Sequence, residues 1–186
     1  MANFAVLVID MLNDFVKGAL KCERAIRIIP NIKRLLEKAH EKNIPCIYLN
    51  DAHLPDVDKE FDIWGPHAVA GTEGAKVIEE LKPQPKDYVI PKRRYSGFYQ
   101  TDLELLLREL KINILILTGL HTNCCVKHTA CDAYLLGYEV WIPEDCVEAF
   151  TQQDHEWGLN YMKTFYKAKI TNLEEILKIL KNSGLK

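Results

Sequence analysis

Adjacent thiols, Cys124 and Cys125, stand in the opening turn of a helical pattern that follows Gly119. Backbone N–H groups and the dipole at a helix start stabilise a thiolate, which suits a cysteine there to nucleophilic attack. The same N–H groups can hold an oxyanion beside the attacked carbonyl. Cys125 is the preferred nucleophile and Cys124 its rival, since periodicity does not separate neighbours. A buried structural thiol is the commoner role for a cysteine in general. Asp10 ends a strongly apolar run and can take a thiol proton, then return it to a leaving amine. A turn-capping role is the plain alternative for Asp10, and Asp14 is its competitor. Lys92 would keep Asp10 ionised and Cys125 acidic, although a run such as Lys92-Arg93-Arg94 often only faces solvent. Asp51, His53 and His67 supply three ligands for a first-row metal with positions left open, the pattern of a catalytic rather than a structural site. Loop histidines more often simply hydrogen-bond, so that grouping is suggestive by itself.

Chemistry of this kind needs elements that deliver all these groups to one place. Apolar runs at residues 4–9, 45–49, 87–90, 112–118, 138–142 and 168–170 lack clean polar alternation and read as strands buried on both faces. Helical patterns at 28–41, 74–81, 101–110, 122–136, 153–165 and 173–180 lie between them. Thr101 with Glu104 reads as a capping box, Thr122-Asn123 and Thr171-Asn172 as helix openings, and Gly137 as a helix stop. Strict alternation predicts an α/β protein: three α/β/α layers around a central, mostly parallel, six-stranded Rossmann-like sheet, with residues 1–186 as a single domain. Ligands of such sheets bind beyond the carboxyl ends of the strands. Asp10, then Asp51 with His53, then Lys92, then Gly119 through Cys125 all follow strand ends. The long irregular stretch 51–72 is expected to be functional.

Composition narrows the classes. With 24 Lys plus Arg against 26 Asp plus Glu, the net charge of −2 gives no reason to expect nucleic acid or a membrane surface as partner. The apolar runs are far too short to span a bilayer. Six dispersed cysteines without a CxxC pair favour a reduced, cytoplasmic protein. No GxGxxG follows the first strand, where Asp10-Met11-Leu12-Asn13 stands instead, which rejects a dinucleotide-binding oxidoreductase.

Several motifs together carry a resemblance. They are Val8-Ile9-Asp10-Met11-Leu12-Asn13-Asp14-Phe15, Lys92-Arg93-Arg94-Tyr95-Ser96-Gly97-Phe98, Thr118-Gly119-Leu120-His121-Thr122-Asn123-Cys124-Cys125-Val126 and Thr129-Ala130-Cys131-Asp132-Ala133. On these, over nearly its whole length, the chain resembles the isochorismatase-like cysteine hydrolases and, among them, the nicotinamidases. The resemblance implies a triad of Asp10, Lys92 and Cys125, selecting the cysteine before Val126. It also implies a cis peptide between Leu120 and His121 that turns N–H groups toward an oxyanion. A divalent metal, zinc in the first instance, on Asp51, His53 and His67 is implied likewise, as are aromatic walls from Phe15, Trp64 and Tyr95. The implied partner is a small-molecule amide, with nicotinamide first, and the implied assembly a homo-oligomer. Two departures stand out: Ala68-Val69-Ala70-Gly71-Thr72 where such enzymes have Cys-Val-Gln-Gly-Thr, and His121 where they carry a small residue. The alternatives are a metal-free relative acting on another small amide or carbamoyl compound, and a non-enzymatic thiol- or metal-binding module.

Overall fold

A computed structural model describes residues 3–182. In chain order the elements are β1 (Phe4–Ile9), α1 (Asn13–Val16), α2 (Ile29–Glu41), β2 (Cys46–Asp51), α3 (Phe61–Trp64), β3 (Tyr88–Lys92) and α4 (Leu103–Glu109). They continue with β4 (Ile114–Leu120), α5 (Cys125–Leu135), β5 (Glu139–Pro143), β6 (Val147–Glu148), α6 (Gln152–Phe165), β7 (Lys169–Thr171) and α7 (Leu173–Asn182). The strands run β3-β2-β1-β4-β5-β7, with β6 paired to β4, and every registered pairing is parallel. The sheet therefore has seven strands rather than six. The extra one, β6, is two residues long and too short to give a period.

β1 explains the three layers. All six of its residues are buried. Phe4, Val6 and Val8 join a core with Ile32, Leu35 and Leu36 of α2 and Leu173, Ile176 and Leu180 of α7. Ala5, Leu7 and Ile9 face the other way, toward Leu103 and Leu107 of α4, Val126 and Ala130 of α5, and Leu159 and Met162 of α6. Pleating sends successive side chains to opposite faces, so a strand covered by helices on both sides must be apolar throughout.

The expected helix over 74–81 is not formed; only Glu79–Leu81 make a 3-10 turn. The N–H groups of Asn13 and Asp14 bond to the carbonyls of Lys76 and Gly74, and the Ile78 N–H to that of Met11. A tertiary partner has taken the backbone groups that a helix would need. The Thr101–Glu104 capping box forms only in part: Thr101 Oγ1 accepts the Leu103 N–H at 3.3 Å while its hydroxyl donates to the Gly97 carbonyl, and Glu104 pairs with Arg108 instead of reaching back. Thr122 does not open α5, which starts three residues later; its hydroxyl lies 3.0 Å from His155 Nδ1. Asn172 does cap α7, accepting from the Glu175 N–H at 3.0 Å. Gly137 has φ +85° after α5, the left-handed stop expected of glycine.

Candidate active site

The strand order reverses between β1 and β4, because β1 leads outward to β2 and β4 to β5. A parallel sheet opens a crevice at the carboxyl ends beside such a point. Asp10 emerges there at φ +52°, a conformation that short polar side chains tolerate better than most. Gly119 lies opposite Ile9 in the β1–β4 register with φ +99°. A Cβ at that position would stand 2.0 Å from the Ile9 carbonyl oxygen, so only glycine allows the two strand ends to close.

Register carries the polar groups together. Asp51 is paired with Lys92 across β2 and β3. The Lys92 ammonium lies 2.6 Å from Asp51 Oδ1 and 2.8 Å from Asp10 Oδ2, with both carboxylates and the lysine buried. Asp10 Oδ1 accepts the Asp51 N–H at 2.8 Å. Cys125 Sγ and carboxylate oxygens of Asp10 and Asp51 all fall within 4.8 Å of one another. Strand alternation separates the basic run: Lys92 points inward, while the Arg93 side chain grips Asp58 in a two-pronged contact.

Burial, with the charge of Asp51 adding to it, pushes the Asp10 carboxyl up to about 7 against the pull of Lys92. Lys92 is held well above its ordinary value by the two carboxylates, which outweigh its desolvation, and stays a cation. Cys125 is also pushed well up, by its hydrogen bond with Cys124 and by burial, which together exceed the opposing effect of Lys92. The same hydrogen bond lowers the Cys124 thiol to about 6, whereas burial opposes at Cys125 the acidification expected of a helix start. A thiol of that kind needs a base beside it, and Asp10 is the adjacent carboxylate.

A second cluster adjoins the first. Ligand atoms of Asp51, His53, Glu60 and His67 lie within 4.8 Å of one another, and all four residues are buried. Glu60 is the member that sequence reasoning missed. It stands among Asp56, Asp58, Lys59 and Asp62, where nothing in the composition singles it out; its spacing of four from Trp64 across the single turn of α3 was the available signal. His53 Nδ1 lies 3.1 Å from Asp58 Oδ2, and His67 Nδ1 lies 2.7 Å from the Gly65 carbonyl oxygen. Each Nδ1–H donating there leaves a lone pair on Nε2, the usual outer-shell arrangement around a metal-binding histidine. His53 Nε2 and Glu60 Oε1 are buried with no hydrogen-bond partner. Orphaned ligand atoms in a ring of carboxylates and imidazoles fit a divalent cation. The ring is clipped to the sheet, since His53 exchanges backbone bonds with Ala68 and Ala70, and the Ala68 N–H donates to Asp14 Oδ2 at 2.8 Å.

Both clusters border one cavity of about 290 Å³. Cys125, Asp51, Glu60 and His67 reach its wall, and Phe15, Trp64 and Tyr95 line it. Asp10, Lys92 and His53 sit behind that wall. Cys124 reaches the same wall, and Leu20, Phe150, Asn123 and His121 complete the lining without having been read as substrate contacts from the sequence. The indole N–H of Trp64 donates to the Tyr95 hydroxyl at 3.0 Å, and Phe150 is stacked against both Trp64 and His121. The peptide between Leu120 and His121 is cis. Among the described residues, the N–H groups of His121 and Cys125 donate to no backbone carbonyl outside the helix.

The family model for the isochorismatase domain matches residues 4–175. Among solved structures, the chain is similar to the nicotinamidase/pyrazinamidase PncA of Bacillus subtilis, with 36% identity over 91% of this chain and 100% of that one and a TM-score of 0.87. It is similar also to the N-carbamoylsarcosine amidase of Thermoplasma acidophilum, with 35% identity over 92% and 97% and a TM-score of 0.87. The pyrazinamidase of Pyrococcus horikoshii in complex with zinc shares 31% identity over 91% and 99%, with a TM-score of 0.85. The parallel α/β/α architecture is thus shared with hydrolytic enzymes. The chain belongs to the isochorismatase family and is a hydrolase of that family.

Proposed function

We propose that this protein is a metal-assisted cysteine amidohydrolase whose substrate is nicotinamide, releasing nicotinate and ammonia through a thioester on Cys125. The observation that carries this reading is a buried thiol within 4.8 Å of a buried carboxylate that is ion-paired to a lysine, beside a small cavity with aromatic walls. Asp10 takes the Cys125 proton and the sulfur attacks the carboxamide carbon. The N–H groups of His121 and Cys125 hold the resulting oxyanion, and Lys92 balances the charge on Asp10 and Asp51. Collapse breaks the C–N bond, and Asp10 gives its proton to the departing ammonia. Asp10 next takes a proton from water as the hydroxide attacks the thioester; the acid leaves and the proton returns to sulfur.

Asp51, His53 and His67, joined by Glu60, would hold the metal, and zinc is the ion we assign. When bound there, it supplies an electrophile for the pyridine nitrogen at the edge of the cavity. The aromatic faces of Phe15, Trp64 and Tyr95 would hold the ring flat. The test is ammonia release from nicotinamide by the purified protein beside its Cys125→Ala and Asp10→Asn variants. Release by the wild type and loss in both variants is expected; most of the activity surviving in either would refute the assignment.

Hydrolysis of a small carbamoyl compound is the second reading. The chain is nearly as similar to the Thermoplasma acidophilum amidase, at 35%, as to PncA, at 36%. Ammonia release from N-carbamoyl amino acids at a higher kcat/KM than from nicotinamide would favour it.

A further inference from the structure

Between the end of β4 and the start of α5, residues 121–124 form a short loop. It carries one proposed oxyanion donor, the His121 N–H, and leads directly into the other, that of Cys125. The loop closes on itself through the Cys124 and Val126 N–H groups, which both donate to the His121 carbonyl. Its ties to the rest of the molecule come from the chain that returns after β5. The Thr122 N–H donates to the Glu148 carbonyl of β6 at 2.9 Å. The Thr122 hydroxyl lies 3.0 Å from Nδ1 of His155 on α6. One turn further along α6, a Cβ on Gly158 would stand 3.0 Å from Asn123 Cα and N and from the Thr122 carbonyl carbon, so helix and loop meet backbone to backbone.

Thr122 is fully buried, where valine would fill the same space without a polar atom. A buried hydroxyl costs free energy unless it is bonded, and His155 supplies the bond. His155 is buried too, and burial lowers its pKa against the pull of Glu148, so the ring is neutral. Behind it, Glu148 Oε1 lies 3.6 Å from His155 Nδ1, accepts the Ala149 N–H at 3.0 Å and pairs with Arg24 at 3.0 Å. None of Thr122, His155, Glu148 and Arg24 lines the cavity, so whatever they do for the reaction they do through the loop.

We propose that His155 is a positioning residue for catalysis: bonded to Thr122 and backed by Glu148 and Arg24, it sets the loop so that the His121 and Cys125 N–H groups converge on the oxyanion. This rests on the amidohydrolase reading of the site. Oxyanion donors accelerate a reaction only when they are preorganised, and a misplacement of about 1 Å can cost about a hundredfold in rate.

A merely structural role would slow every reaction of Cys125 alike, whereas this one touches only reactions that pass through an oxyanion. Two reagents separate them. With p-nitrophenyl acetate the sulfur adds to the carbonyl, a C–S bond forms, the ester C–O bond breaks, p-nitrophenolate departs and the thiol proton passes to Asp10. Iodoacetamide alkylates the same sulfur by displacing iodide, with no oxyanion on the way. Rates are read by peptide mass spectrometry, with fragmentation separating Cys125 from Cys124. Thr122→Val and His155→Leu should slow acylation by about tenfold or more and leave alkylation within about twofold of the wild type. Thr122→Val, which changes almost no volume, carries the comparison if His155→Leu does not fold. Thr122→Ser and His155→Asn, which restore a hydroxyl and a polar atom near the Nδ1 position, should recover most of the acylation rate. With nicotinamide the first two variants should lower kcat and leave KM near the wild-type value, because the donors serve the transition state. Ammonia release from nicotinamide with acylation and alkylation falling together, or with acylation indifferent to the variants, overturns this proposal and leaves the amidohydrolase reading standing. Ester acylation that depends on Thr122 and His155, without any ammonia from nicotinamide, overturns that reading and leaves the positioning role intact. A wild-type Cys125 that the ester never acylates overturns both.

Discussion

Asp10 and Cys125 are a buried acid and a buried thiol beside the Lys92 cation, and in the proposed mechanism their protonation decides when the site works. Asp10 must be ionised to act as base, and its carboxyl is pushed up to about 7 by burial and by Asp51. Activity, read as kcat/KM against pH, should therefore climb through about 7 and level off above it. Stability should move the opposite way. The folded value lies above the ordinary 3.8, so the contribution of Asp10 is fully present below about 4 and is lost as pH rises through 7. Thermal melts between these limits should show a decline that Asp10→Asn flattens; an unchanged slope in that variant would mean that another group titrates. Lys92 is the counterweight. Lys92→Met leaves two buried carboxylates with no cation and should cost about 3–5 kcal/mol in urea unfolding, as well as activity. At this scale the sequence was informative because the candidate residues Asp10, Asp51 and Lys92 each stand at or just after a strand end. It was uninformative about Glu60, one acid among several in an irregular loop, and about Phe150, whose place against Trp64 and His121 depends on how the chain returns after β6.

Strands were the legible elements. Residues of β1 and β4 are buried on both faces, and a doubly covered strand has to be written as an unbroken apolar run. The stretch 74–81 misled because its apolar spacing suits a helix, whereas its backbone is bound to the chain just after β1. Local pattern cannot see such a partner. The β1–β4 junction gives the most direct element-scale test. Gly119→Ala places a methyl group against the Ile9 carbonyl oxygen in a left-handed conformation, and should lower stability by more than about 2 kcal/mol in denaturant titration. The pair β1–β4 carries both Asp10 and the loop to Cys125, so residual folded protein should also lose turnover. A variant as stable and active as the wild type would show that the close approach of the two strands is not needed.

Across the whole molecule, alternation of strand and helix was enough to infer the parallel three-layer plan, but not the strand order. That order puts β1 beside β4, and only then do Asp10, from the first tenth of the chain, and Cys125, from its final third, meet beneath one cavity. The metal-type cluster likewise ties the irregular stretch 51–72 to the end of β2. Purified protein should contain about one divalent ion per chain, and His53→Ala with His67→Ala should lose it by elemental analysis. Removing the ion with a chelator should lower the melting temperature, since an ion that binds only the folded state stabilises it by mass action. Protein without an ion and insensitive to added zinc in melting temperature would contradict that assignment. The central claim is that Cys125 becomes acylated, and acid-quenched mass spectrometry during turnover of nicotinamide tests it most directly. The account predicts a nicotinoyl group on the peptide at Cys125, absent from Cys125→Ala and disappearing as substrate is consumed. Turnover with no adduct, or with the adduct on Cys124, would contradict it.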